Sequence, residues 1–456
     1  MKVINKKNLK RTVYTVLGAF FVLLGVVGLF LPILQGILFI VLGVSLLATH
    51  NRYFENLKLH LYHRFPWAES FSYHTKHRLR RLLRSGKTPP SKKGPAGPIV
   101  YYVSAHGYGH SVRTCDIIAK LKLLHPDIPV VIRSKTAEDF FQSRLSPEAY
   151  ELEPAEFDIG LIQIDSIKAD LEKSRASIES LYSRRKELVK KETEWLLRKQ
   201  TSLVVADIPA IPLAAAANAG IPSIAVANFS WDWIYSEFIE HDERWQAIVD
   251  AFASDYSKAD LLLRLPFSAP MPAFPRQEDV GLLAEPGRKR RKEIKALTNA
   301  DPGKKWVLVC FSAIHWDAAA LDKIEAMSEY EFFVLPTLNY SRSNIHRLYD
   351  NFAFTDIVAS VDGVLSKPGY GIMSDCIANS KPLVYAERTD FQEYHVLVEN
   401  IAKYIQNTHI SMDALYSADF KTALDRLWSQ PKPRDRLTGG GAIQVVEHIV
   451  DMRNAN

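Results

Sequence analysis

Cysteine is scarce in this 456-residue chain: there are three, Cys115, Cys310 and Cys376, none in a C-x-x-C pair. That excludes a disulfide scaffold and a zinc ribbon, and it fits a reducing compartment in which all three are small buried apolar residues. Acidic residues are almost missing from the first 98 positions, where sixteen Lys and Arg face only Glu55 and Glu69, a surplus of fourteen. The whole chain carries +6, so the remainder carries −8. A basic arm on a mildly acidic body speaks against nucleic acid as the partner and places the cations beside whatever the N-terminus touches. Against these shortages, 47% apolar and 24% charged residues is ordinary globular composition and excludes a disordered or fibrous chain.

Charge of either sign is absent from Thr12 to Ala48. One straight helix of that length would run about 55 Å, well beyond a hydrocarbon core of about 30 Å. Pro32 divides the run, so the expectation is an α-helical membrane hairpin over residues 1–50, with helices near Val13–Leu31 and Leu34–Ala48. The second helix is short, which leaves an inserted wedge open as an alternative to a full span. A cleaved signal peptide is the other alternative, but its apolar region is shorter and ends in a small-residue cleavage site. Lys2, Lys6, Lys7, Lys10 and Arg11 precede the hairpin, and Arg52, Lys58, Arg64 and the run Lys76–Arg84 follow it. The positive-inside rule then puts both flanks and the body in the cytoplasm, at the inner or cell membrane. Residues 51–98 read as a basic juxtamembrane helix suited to anionic lipids, or a solvated basic linker, ending in Pro89, Pro90, Pro95 and Pro98.

Beyond Pro98 the pattern changes to apolar strand runs alternating with helices, the mark of a covered parallel sheet. Ile99–Val103 leads into Ser104-Ala-His-Gly-Tyr-Gly-His110 and a helix; Val130–Ile132, Ile159–Ile164, Leu203–Ala206 and Ser223–Ala227 are further strand candidates. Residues 166–200 form a long charged helical stretch. The second half repeats the plan with Trp306–Phe311, Phe332–Leu335, Gly363–Leu365 and Pro382–Ala386, a glycine loop at Ser366–Gly371 and an acidic loop at Glu387–Glu393. The expected fold is α/β, with Rossmann-like units at 99–285 and 286–456 whose parallel sheets face across a cleft.

The motifs Tyr102–Arg113, Ile162–Asp170, Val204–Ser223, Asn228–Tyr235 and Ser366–Asn379 carry a resemblance over nearly all of residues 99–437. The body resembles GT-B fold glycosyltransferases, the group of the lipid-linked N-acetylglucosaminyltransferases and monogalactosyldiacylglycerol synthases. In particular it is similar to glycosyltransferase-like proteins related to the N-terminal domain of L-arabinokinases. It has no galactokinase-type Gly/Ser-rich phosphate loop. Where the family's second domain opens with a strand and a Gly-Gly turn, this chain has Phe311-Ser-Ala-Ile-His-Trp-Asp317.

In the second glycine loop, Gly369 and Gly371 let the backbone approach a diphosphate, the following helix offers unpaired N–H groups, and Lys367 adds a charge. The resemblance implies Asp375 against ribose hydroxyls and Asp390 and Glu393 against the donor sugar, as carboxylates accept well from diols. Tight-turn glycines and solvated acids are the plainer readings. His110 matches the family histidine after the glycines, and a histidine suits a base that removes an acceptor proton. His106 and Asp207 are the further catalytic candidates, and a helix-terminal structural His110 is the alternative. Gly107, Gly109, Asn228 and Trp231 are expected to shape the acceptor pocket, with core packing for at least one of Trp231 and Trp233. Arg113 could pair with phosphate or with Asp116. No metal site and no cofactor is expected.

The resulting expectation is a membrane-anchored inverting glycosyltransferase that moves a sugar from a nucleotide-sugar donor, UDP-linked, to a lipid-linked or membrane-surface acceptor. A non-catalytic sugar-nucleotide binding or regulatory module and a nucleotide-sugar 2-epimerase are the alternatives, since function resides in sites grafted on folds.

Overall fold

Strands buried on both faces need continuous apolar runs, and β1 (Ile99–Val103), β4 (Leu203–Asp207) and β5 (Ser223–Ala227) are buried at every position. The computed structural model describes residues 15–23, scattered positions from 39 to 65, 67–75, and 97–455 other than 165–168, 349–351, 389–390, 434, 436 and 438. The chain divides into two compact units, residues 1–92 with 122–126, and residues 93–121 with 127–456.

The larger unit holds two parallel sheets. The first has the order β3-β2-β1-β4-β5-β6-β7, where β2 is Val130–Arg133, β3 Glu151–Glu153, β6 Leu261–Arg264 and β7 Gln277–Asp279. The second runs β10-β9-β8-β11-β12-β13, with β8 Lys305–Cys310, β9 Tyr330–Val334, β10 Ile345–Arg347, β11 Gly363–Ser366, β12 Leu383–Ala386 and β13 Asn407–Ile410. In both, the chain turns outward in opposite directions from the centre, between β1 and β4 and between β8 and β11. These switch points open a crevice at the strand C-termini. Register sets Val103 beside Asp207 and Ser366 beside Cys310, so each crevice begins at the end of aligned strands.

Two expected elements differ. Residues 159–164 form no strand, because Gly160 at φ +68° breaks any extended run there; the third strand is Glu151–Glu153. The helical stretch expected over 166–200 is two helices: α2 (Leu171–Ser183), capped by Asp170 accepting from Lys173 N at 3.0 Å, and α3 (Arg185–Arg198). Arg184, at φ −99° and ψ 9°, separates them. Besides α1 (Tyr108–Leu124), helix α4 (Ile211–Ala219) and α5 (Trp231–Ser236) follow β4 and β5, and α6 (Ala318–Glu325) follows β8. Around the second crevice lie α7 (Tyr370–Asn379) and α8 (Glu393–Tyr404). The last helix, α9 (Gly441–Ala455), returns to the first sheet: Arg453 donates from Nε to Ser202 Oγ at 3.1 Å and from Nη2 to Gly97 O at 3.3 Å.

In the smaller unit, residues 15–23 and 67–75 are helical. A Cβ on Gly43 would lie 2.9 Å from Gly18 O and 2.8 Å from Val22 N, so two segments meet there backbone to backbone. Phe21 stacks on Phe39 at 6.1 Å, and Ser45 Oγ lies 2.7 Å from Tyr62 OH. Val16, Leu17, Phe20 and Leu23 are exposed. No helix among the described residues is long and apolar enough to cross a membrane. Much of the expected hairpin, Pro32 included, and the basic run Lys76–Arg84 lie outside the described residues.

Candidate functional site

The first crevice is built on the loop between β1 and α1. Ser104 Oγ accepts from His106 N at 3.2 Å, and Gly107 turns the chain at φ +75°, a conformation that a side chain would strain. Helix α1 starts at Tyr108, so His110 and Arg113, three apart, share one face of its first turns. Both point at Asp207, the last residue of β4, which has no solvent exposure. His110 Nδ1 lies 2.8 Å from Asp207 Oδ1. Arg113 donates from Nε to Asp207 Oδ2 at 2.6 Å and from Nη2 to Oδ1. Its Nη1 donates to Asn228 Oδ1 at 2.7 Å, and Asn228 Nδ2 donates to Glu393 Oε1 at 2.6 Å. Arg113 thus bonds Asp207 and Asn228 rather than Asp116.

Burial would raise the Asp207 carboxyl, but Arg113 and His110 outweigh it and hold it below the ordinary range, so it is ionised. His110 Nδ1 also lies 3.0 Å from Arg113 Nη2. In the tautomer that donates from Nδ1 to the anionic Asp207, Nε2 keeps the lone pair a general base needs. His106 is different. Burial, helped by the charges of His110, Arg388 and Lys367, drives it down to about 3, so it is neutral. Its ring stacks on Phe391 at 6.4 Å and meets the edge of Trp231 at 5.2 Å. Trp231 is fully buried and donates from Nε1 to Asp158 Oδ2 at 2.8 Å; it belongs to the core and offers no face to an acceptor. The aromatic side chains that pack beside the loop leave no such role for it.

In the second domain, α7 begins directly after Gly369. A Cβ on Gly369 or Gly371 would meet nothing within 4 Å, which leaves open space before the first N–H groups of the helix. The His106 ring of the first glycine loop stacks on Phe391 of the second domain, so the loops of the two domains face one cleft. Arg113 also reaches across it, with Cζ 5.6 Å from the Tyr370 ring. Asp375 is buried, and its burial with the like charge of Asp116 pushes it up to about 7. Glu393 is buried too, and burial raises it, opposed by Asn228 and Arg388. Asp390 lies outside the described residues.

The unusual turn at Phe311–Asp317 has a structural explanation. Trp316 is buried, its N–H accepted by Tyr340 OH at 3.0 Å and its Nε1–H by Leu415 O at 2.8 Å. Asp317 then caps α6 by accepting from Ala320 N at 2.8 Å. Sequence reasoning missed Asp158 and Phe391. Phe391 is the one aromatic residue of the acidic loop Glu387–Glu393, and that isolation among polar residues is the signal that could have found it.

No family model matches the chain. It is 32% identical over 367 residues to an L-arabinokinase of Arabidopsis thaliana, an alignment that covers 77% of this chain and 34% of that protein. The chain therefore spans about a third of the length of the curated relative it matches. Among solved structures it is similar to Arabidopsis thaliana UGT89C1 complexed with quercetin, at 13% identity and TM-score 0.52, covering 78% of this chain and 99% of that one. A Polygonum tinctorium UDP-glucosyltransferase matches at 13% identity and TM-score 0.52, over 80% and 94%. The glycotransferase of kitacinnamycin matches at 12% and 0.51, over 78% and 94%. With two parallel sheets opening on one cleft, the body has the GT-B, glycosyltransferase-like fold.

Proposed function

We propose that the chain is an inverting glycosyltransferase that uses a nucleotide sugar. The observation that carries this reading is the His110–Asp207 pair at the end of β1 and β4, set in one cleft with the open glycine loop at the start of α7. In this reading His110 Nε2 takes the proton of an acceptor hydroxyl as its oxygen attacks the anomeric carbon. The bond from that carbon to the diphosphate oxygen breaks, and the nucleoside diphosphate leaves. The α7 N–H groups and Lys367 meet the charge of the leaving diphosphate, without a metal ion. Asp375 binds the ribose, and Glu393 and Asp390 the donor sugar. UGT89C1 has been solved with UDP and with UDP-L-rhamnose at TM-scores of 0.51 and 0.50, which supports a UDP-linked donor here.

The acceptor is lipid-linked or lies at a membrane surface, and the body faces the cytoplasm from a hairpin at the inner or cell membrane. The glycine-to-glycine approach at Gly18 and Gly43 and the exposed Val16, Leu17, Phe20 and Leu23 support that anchoring, as does the excess of bases on both flanks. The test incubates the full chain with a panel of UDP-sugars and a lipid extract. Acceptor-dependent release of UDP is expected, and His110→Ala should lower turnover about 10²- to 10⁴-fold with donor affinity unchanged. A well-folded His110→Ala protein with near wild-type turnover removes His110 from the mechanism.

A second reading, a sugar-nucleotide-binding module without turnover, is favoured by Arg113, whose fork already engages both oxygens of Asp207. Binding of the sugar nucleotide with no product from any acceptor would decide for it.

A further inference from the structure

Asn228 uses both ends of its side-chain amide. Arginine only donates and a carboxylate accepts, so the amide has one orientation: Oδ1 to Arg113 and Nδ2 to Glu393. Asn228 follows β5 of the first domain, whereas Glu393 opens α8 of the second, 165 residues away. Two positions before Glu393, Phe391 is 4% exposed and packs in the core cluster of the first domain. Its ring lies 5.6 Å from Phe229, whose own ring lies 5.7 Å from His110. Arg388 covers Phe391 at 4.2 Å. The end of the acidic loop is therefore docked into the first domain beside the His110–Asp207 pair. Glu393, at 7% exposure, offers little to a sugar until it leaves that place.

We infer that Asn228 is a positioning residue: it latches the donor loop to the first domain when the cleft is empty and yields Glu393 when a nucleotide sugar enters. The inference rests on the glycosyltransferase reading for the second half of that exchange. A sugar nucleotide must break the Asn228–Glu393 bond to gain Glu393. A nucleoside diphosphate has no sugar hydroxyls and leaves the latch closed.

Asn228→Asp separates the two ends of the amide. Its carboxylate still accepts from Arg113, but it sets one carboxylate against another at Glu393. Hydrogen exchange of the ligand-free full chain should become faster across residues 387–404 in Asn228→Asp. It should stay as in the wild type in Glu393→Gln, which keeps an accepting oxygen for Asn228. Calorimetry with UDP-glucose, UDP-N-acetylglucosamine and UDP-L-rhamnose should show the bound sugar nucleotide gaining about three- to tenfold in affinity in Asn228→Asp, the net scale of one ordinary hydrogen bond. UDP alone should bind both proteins within about twofold. Unchanged exchange across 387–404 overturns the latch. Equal shifts for UDP and its sugar conjugates overturn the positioning role, since a merely structural change would move both. Faster exchange with no UDP compound bound by either protein upholds the docked loop and overturns the glycosyltransferase reading instead.

Discussion

Burial in α7, with the like charge of Asp116, pushes Asp375 up to about 7. An unperturbed aspartate titrates near 3.9. Between these values the folded chain holds a proton that the unfolded chain has lost. Stability from this group is therefore greatest at low pH and declines as pH rises through about 7. Asp375→Asn should raise the melting temperature by a few degrees at pH 8 and by much less below pH 4, while nucleotide affinity falls if the carboxylate holds the ribose. Calorimetric melts at both pH values check this, and an equal gain at the two would detach the effect from Asp375 ionisation. Gly160 is a second residue with a defined burden: at φ +68°, its missing Cβ would stand 2.4 Å from His106 Cγ. Gly160→Ala should destabilise by about 1–3 kcal/mol and shift the His106 ring resonances. At this scale the sequence displayed His106, His110 and Asp207 as candidates. It could not display that Arg113 belongs to Asp207 and Asn228, because residues 94 and 115 positions apart meet only through the sheet.

Among the elements, the start of α7 is where the glycine pattern can be put to a direct test. Space is open at Gly371, so Gly371→Val should fold with a melting temperature within a few degrees of the wild type while nucleotide binding is lost to the intruding branch. Undiminished binding by calorimetry would make the loop a structural turn. The strands legible in the sequence, β1, β2, β4, β5, β8, β9, β11 and β12, are inner ones with apolar, largely buried runs. The outer strands β3, β7 and β10 have three residues each, and Glu151-Leu-Glu153 and Gln277-Glu-Asp279 are too polar for such a run to be visible. Residues 159–164 had the apolar content but not the geometry. The break at Arg184 was hidden for a related reason, as helix-forming residues continue on both sides of it.

For the whole molecule, alternation of strand and helix sufficed to read two Rossmann-like halves, whereas the contacts that join them were not legible. Asn228–Glu393 and Arg113–Tyr370 depend on how two sheets face each other, which no periodicity encodes. The membrane reading rests on charge placement and has its own test. Protease added outside intact cells should leave the body uncut, and cleavage between Thr49 and Pro98 would overturn the cytoplasmic placement of both flanks.

The return of α9 to the first sheet gives this chain a particular order of completion. The strands of the first sheet are all synthesised by Asp279, and Ser202 Oγ donates to Gly97 O at 2.9 Å, yet the further bonds to both come only with Arg453. At about 5–20 residues per second, the ribosome needs on the order of ten to thirty seconds more to deliver it. During that interval the second domain emerges and can fold while the first still lacks its closing helix. A premature stop ahead of the Arg453 codon would therefore damage the half of the protein that was made first.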